Sequence, residues 1–185
     1  MSDLHRLYVR EPFTEEIVKQ IYRESFFRPN ERTCYSKDGK IARWGLDLRK
    51  PLSQGERLSA ICSIFAEIIK DMNVNQIAGT GYAAAYIIAG AIALNPSLTG
   101  GLIRKERKQY GFREIIEGKL QKERPLVLID DIIASGDTLC ELTRVLRQEG
   151  FNPLAAIVFF EFAWESGIER LKQQGIKVHA ISTLS

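Results

Sequence analysis

Apolar residues along the chain follow two periods. Stretches with an apolar residue every third or fourth position read as amphipathic helices, and short unbroken apolar runs read as strands buried on both faces. Thr14 to about Phe27 has the helical spacing, with Thr14 as N-cap, Glu15 and Glu16 in the first turn, and Phe13, Ile17 and Ile21 on its apolar edge. Pro29-Asn30 closes it, and it either covers the core or meets a second subunit. Ser53 to Met72 repeats Leu58, Ile61, Phe65, Ile68 and Ile69 at helical spacing. Gln76 to Thr80 reads as a strand that enters Gly79-Thr80-Gly81-Tyr82, followed by a helix rich in Ala and Ile to Leu94. Gly101–Arg104 and Leu126–Ile129 are strands, and Asp137–Glu149 is a helix with Leu139, Leu142 and Leu146 inward and Gly150 just beyond its end. Leu154–Phe160 is a strand, Glu165–Gln174 a helix, and Lys177–Ile181 the last strand. Strands and helices in alternation predict an α/β domain around a mostly parallel five-stranded sheet. Ahead of it, Asp38-Gly39 is a hairpin turn signal, and its flanks, Thr33–Ser36 and Ala42–Leu48, are expected to pair antiparallel.

Composition narrows the class without naming a chemistry. The 185 residues suit one domain with a real core, and 45% hydrophobic with 26% charged residues is ordinary for a globular protein. A net charge of +3 is too small to point to nucleic acid and is compatible with a small polyanionic substrate. Three cysteines, Cys34, Cys62 and Cys140, lie far apart and are odd in number. That spacing makes neither a disulfide framework nor a zinc site, and it fits a reducing compartment. The first ten residues have no apolar core of a secretory signal, and the apolar run Tyr82–Leu94 is shorter than the ~20 residues that span a bilayer. A cytoplasmic protein without membrane or nucleic-acid partners is expected.

The chemistry concentrates in Pro125–Thr138. A buried strand ends in two adjacent carboxylates, Asp130 and Asp131, and continues through Ile132 and Ile133 into Ala134-Ser135-Gly136-Asp137-Thr138 at a helix start. Open α/β sheets place ligands at this carboxyl edge. Small residues let backbone N–H groups approach an anion, the helix start favours negative charge, and Ser135 and Thr138 add hydroxyl donors. The loop suits a phosphate, and the carboxylates suit hydroxyls or a metal beside it. Gly81 and Gly79 give the earlier loop, with Thr80 and Tyr82, the same capacity for close backbone approach. Arg104-Lys105-Glu106-Arg107-Lys108-Gln109-Tyr110-Gly111 is by composition a charged surface loop.

These stretches resemble, in order, the motifs of type I phosphoribosyltransferases, whose substrate is phosphoribosyl pyrophosphate (PRPP). The resemblance covers about Cys34 to Ser185 and is nearest to the orotate phosphoribosyltransferases. It implies a Rossmann-like core over about residues 51–185 and a small N-terminal helix and hood over about 1–50, in one domain. It implies that Asp130 and Asp131 hold the ribose hydroxyls and act in catalysis by stabilising positive charge at the anomeric carbon, that Ala134 to Thr138 hold the 5′-phosphate, and that Ile132 and Ile133 also belong to the PRPP site. Thr80, Gly81 and Tyr82 would meet the pyrophosphate. So would Arg104, Lys105, Lys108 and Tyr110, on a lid shared across a homodimer, and Lys105 and Lys108 would take part in catalysis. Lys37 falls on the base-binding lysine of the hood, with Trp44 and Phe162 as further base contacts. Magnesium would be bound mainly through PRPP, with no direct protein ligand. Four departures stand out, the first being Asp38 where the hood pattern has Ser. Ala134 replaces the usual Thr, Ala83 stands where some members carry Lys, and Phe159–Ser166 has no arginine where the orotate enzymes hold the orotate ring. A different base, or a regulator that binds PRPP or a nucleotide without turnover, are the alternatives.

Overall fold

The computed structural model describes residues 7–9, 15–30, 33, 35, 39–104 and 114–185. The elements are β1 (Leu7–Val9), α1 (Glu15–Ser25), β2 (Phe26–Phe27), β3 (Gly45–Leu46), α2 (Arg49–Leu52), α3 (Gly55–Asp71), β4 (Gln76–Gly79) and α4 (Gly81–Leu94). They continue as β5 (Thr99–Ile103), β6 (Ile116–Gly118), β7 (Pro125–Ile133), α5 (Asp137–Gln148), β8 (Asn152–Phe162), α6 (Gly167–Gln173) and β9 (Lys177–Leu184).

One seven-stranded sheet runs β1-β9-β8-β7-β4-β5-β6. The five expected strands β4, β5, β7, β8 and β9 pair parallel with one another within it. Two short antiparallel strands that local pattern did not announce, β1 and β6, flank them. Strand order reverses between β4 and β7: the chain leaves β4 toward β5 and leaves β7 toward β8. The loops after these two central strands therefore diverge, and a crevice opens at their carboxyl ends.

Apolar side chains pack on both faces of the sheet. On one face α1 to α4 supply Val18, Ile21, Leu52, Phe65, Ile69, Ile87 and Ile88 against Ile129, Phe159 and Phe160. On the other, Leu139, Leu142 and Leu146 of α5 and Leu171 of α6 cover Leu126, Leu128 and Val158. Helix α1 is thereby a core cover, with Val18, Ile21 and Tyr22 inward. Gly150 and Gly175 follow α5 and α6 with φ of 86° and 75°, the left-handed turn expected after a helix end.

Several bounds differ from the sequence expectation by a few residues, with β8 reaching Phe162 and β9 reaching Leu184, and two differences bear on the site. Strand β7 does not stop at Ile129 but runs to Ile133, because Asp130, Ile132 and Ile133 pair with Val158, Phe160 and Glu161 of β8. The hairpin about Asp38-Gly39 is reduced, among the described residues, to one bridge between Tyr35 and Ile41. Its second flank pairs elsewhere: Gly45 and Leu46 lie antiparallel to Phe27 and Phe26. Gly45 sits so close to the Phe27 ring that an added Cβ would come within 2.4 Å of it. The close approach fixes this small sheet against the end of α1.

Candidate active site

The site forms where the β4 and β7 loops part. On β7 the two carboxylates are half-buried, and the Asp131 backbone N–H donates to Asp130 Oδ1 at 2.9 Å. Asp130 lines a 170 Å³ cavity with Ile132, Ile133, Ala134, Ser135, Gly136, Asp137 and Thr138. Burial, with the charge of Asp131 added, holds the Asp130 carboxyl well above the ordinary range. Burial also raises Asp131, with the charge of Asp47 as a smaller contribution in the same direction. Cationic or hydroxyl partners would favour the charged form of such a pair.

Gly136 takes φ 75°, which a residue with a side chain rarely adopts, and it caps α5 without any side-chain cap bond. The N-terminus of α5 borders this cavity through Gly136, Asp137 and Thr138, an end of the helix dipole that suits an anion. A second cavity of 360 Å³ is lined by Thr80, Ile103, Arg104, Asp137, Thr138, Glu141, Leu142 and Val145. The two cavities share Asp137 and Thr138, so the β7 loop and the β4 loop frame one continuous surface. Gly81 has φ 80°, whereas Gly79 is required for another reason. A Cβ there would stand 2.5 Å from the Ile129 carbonyl, so glycine lets the β4 turn close on β7.

Arg104 is brought to this surface, but its guanidinium is engaged by Glu117 of β6, with Nε donating to Oε1 at 2.8 Å. Tyr82 stands at the start of α4 with its side chain 78% exposed. Trp44 and Phe162, taken from sequence as base contacts, meet each other at 5.4 Å between ring centroids. They belong to a continuous aromatic group: Phe26 stacks on Trp44 at 6.0 Å, and Phe162 stacks on Trp164 at 5.0 Å. Neighbouring rings thus cover much of Trp44 and Phe162, while Trp164 is 48% exposed. Lys37, Lys105, Lys108 and Tyr110 lie outside the described residues.

Sequence reasoning missed two contributions. Asp47 is 7% exposed and accepts a forked pair from Arg49, Nε at 2.6 Å and Nη2 at 3.0 Å. This pair lies within electrostatic reach of Asp131, since each acid of the two influences the same guanidinium. The Asp-Leu-Arg order was visible in sequence, but its nearness to β7 was not. The second is the packing of α6, the helix expected over Glu165–Gln174, behind the β7 loop through Gly167 and Arg170; no local pattern marked that contact.

Among the described residues no group of three or more His, Cys, Asp or Glu could hold a metal ion, and no helix is long and apolar enough to cross a membrane. The sequence model of the family described as PRTase-CE matches residues 4–185. The orotate phosphoribosyltransferase of Staphylothermus marinus is 29% identical over 174 residues, covering 94% of this chain and 83% of the relative. The bifunctional enzyme PyrF/PyrE of a Nostoc species is 30% identical over 149 residues, covering 80% of this chain but only 30% of that longer protein. The crystal structure of orotate phosphoribosyltransferase from Aeropyrum pernix superposes with a TM-score of 0.75 at 22% identity, over 91% of this chain and 93% of that one. At that identity it shows a shared fold.

Proposed function

The chain belongs to the PRTase-CE family, and from that premise we propose that it transfers the 5-phosphoribosyl group of PRPP to orotate, giving orotidine 5′-monophosphate and pyrophosphate. The observation that carries the reading is the joined pair of cavities at the strand-order reversal, one walled by the acid pair and the small-residue loop, the other by Thr80 and Arg104. Relatives that bear the orotate phosphoribosyltransferase name and align over most of their own length support the choice of base.

Each part has a physical task. Ala134 to Thr138, with the open N-terminus of α5, hold the dianionic 5′-phosphate. Asp130 and Asp131 accept hydrogen bonds from the ribose hydroxyls and face the positive charge that grows at the anomeric carbon as pyrophosphate departs. Thr80, Gly81 and Tyr82 receive the leaving group, and Arg104, Lys105, Lys108 and Tyr110 stabilise its developing charge from a lid that excludes water. Lys37 contacts the base, with Trp44 and Phe162 framing its place. No nucleophile is needed, because positioning and electrostatics lower a loose, cation-like transition state. Two half-buried carboxylates, in no cluster of three such donors among the described residues, fit a magnesium ion carried mainly by PRPP oxygens. Bound there, magnesium would neutralise the charge on the pyrophosphate.

The functional unit we infer is one domain over residues 1–185, cytoplasmic and homodimeric. Helix α4 carries no charged side chain, and Tyr82 and Tyr86 stand on its exposed side at 78% and 44% exposure. An apolar outward face of this kind suits a second copy of the chain. One observation favours a second reading with the same chemistry and a different base: Phe159–Ser166 brings aromatic rings and no arginine to the end of β8. A steady-state assay with PRPP, magnesium and orotate, followed by orotate absorbance beside an Asp131→Asn control, decides between them. Turnover that the control abolishes supports orotate. PRPP binding without turnover overturns orotate and leaves a panel of other bases to be tried.

A further inference from the structure

Helix α6 holds the phosphate loop from behind at three successive residues. A Cβ built on Gly136 would stand 2.9 Å from both the Cα and the carbonyl oxygen of the buried Gly167. One turn further along, Arg170 Nη1 donates to the Ser135 carbonyl at 2.5 Å and to the Asp137 carboxylate. The two contacts differ in kind. A trans peptide points its C=O and N–H in opposite directions. Fixing the Ser135 carbonyl on Arg170 therefore turns the Gly136 N–H away from the guanidinium, in a peptide whose two residues both line the 170 Å³ cavity. Asp137 lines both cavities, and with Arg170 it lines a third on the α5–α6 side, so its negative charge stands beside the space that an anion would enter. A guanidinium on that carboxylate lowers the repulsion that a phosphate dianion would meet there.

We propose that Arg170 is a positioning residue for sugar-phosphate recognition: it orients the Ser135–Gly136 peptide for donation and neutralises Asp137, so that the loop accepts a phosphate monoester dianion. The proposal rests on reading residues 134–138 as the 5′-phosphate loop. It also separates two kinds of arginine at the site. Arg104 belongs to the leaving-group side, whereas Arg170 acts through the loop and does not touch the substrate.

Calorimetric titration with ribose 5-phosphate and with PRPP tests it, using wild type, Arg170→Ala, Asp137→Asn and the double variant. Arg170→Ala should bind ribose 5-phosphate on the order of tenfold more weakly, since the lost bonds are charge-assisted but partly exposed. It should raise KM for PRPP more than it lowers kcat. Adding Asp137→Asn should recover most of the lost affinity, because the charge that Arg170 masked is then gone; loss of packing alone would give no recovery. Arg170→Gln keeps a donor and most of the length, and it should show the same rescue if the alanine variant folds poorly. Arg170→Ala binding as wild type does, or a double variant no better than the single, overturns the positioning role alone. Wild-type protein that binds neither ribose 5-phosphate nor PRPP overturns the functional reading, and this role with it.

Discussion

Replacing Gly167 with alanine sets two effects against each other. Gly167 opens α6, and its φ is not in the left-handed region, so helix propensity by itself favours alanine by roughly 0.5–1 kcal/mol. The added Cβ, however, would lie 2.2 Å from the Ala134 carbonyl oxygen, 2.8 Å from Ile133 Cγ1 and 2.9 Å from the Gly136 nitrogen. Two of those three atoms are backbone. Ordinary carbon–oxygen contacts need about 1 Å more, so the β7 loop or α6 must move. Forcing an extra methyl into a packed site costs about 1–3 kcal/mol, and a net loss near 1–2 kcal/mol follows. In a chain of this size that lowers Tm by roughly 2–8 °C, read by scanning calorimetry without ligand. The same shift distorts the phosphate loop, so PRPP affinity should fall as well. Gly55 supplies the control: it also opens a helix, and a Cβ there meets nothing within 4 Å. Gly55→Ala should raise Tm by about 1–4 °C. A Gly167→Ala protein that melts at or above wild type would show that α6 does not press on the loop, and the account of the loop's rigidity would be wrong.

Other expectations follow from the same geometry. Asp130 and Asp131 ionise later in the fold than in the unfolded chain, where aspartate titrates near about 3.9. Through that window the folded state keeps protons that the unfolded chain has released, so stability of the ligand-free protein falls as pH rises. Asp130→Asn should flatten this fall in melting curves taken from about pH 4 to 8, while turnover drops by a factor on the order of 10²; an unchanged pH slope would remove Asp130 as its source. Trp44→Ala opens the ring stack and should cost about 2–3 kcal/mol in chemical denaturation. Trp164→Ala should leave stability within about 1 kcal/mol yet raise KM for the base if the base stacks on its exposed face. Tyr86→Arg puts a charge on the apolar side of α4 and should convert the proposed dimer to monomer by light scattering, with little change in intrinsic stability. A dimer that survives the change would place the interface elsewhere.

The centre of the molecule was legible because its signals are local. Leu126–Ile129 is an unbroken apolar run, the acid pair and small-residue loop follow it directly, and the helices α3 and α5 carry their buried residues at helical spacing. What escaped depends on partners distant in sequence. Asp130 to Ile133 extend β7 only because β8 offers a matching edge some thirty residues later. Gly45 and Leu46 leave their own hairpin for Phe26 and Phe27, and the three-residue strands β1 and β6 exist through pairing alone. Arg170 looks in sequence like any charge on a surface helix, and Gly167 like a turn residue. Their importance appears only when α6 folds back against a loop 31 residues before Gly167 reaches it, as the Gly136–Gly167 contact shows.

The edge strand β1 carries a consequence for how this domain can be joined to others. Leu7 stands opposite Leu184 and Val9 opposite Ser182, antiparallel. The chain therefore enters β1 at the same level of the sheet at which it leaves β9. That level is the carboxyl end of the parallel strands, the rim on which the crevice opens. A neighbouring domain fused before β1 or after β9 would be delivered to this rim and not to the rear of the sheet. Either attachment would place the added mass where it can shield, crowd or exchange ligands with the crevice, and lengthening the tether would relieve all three.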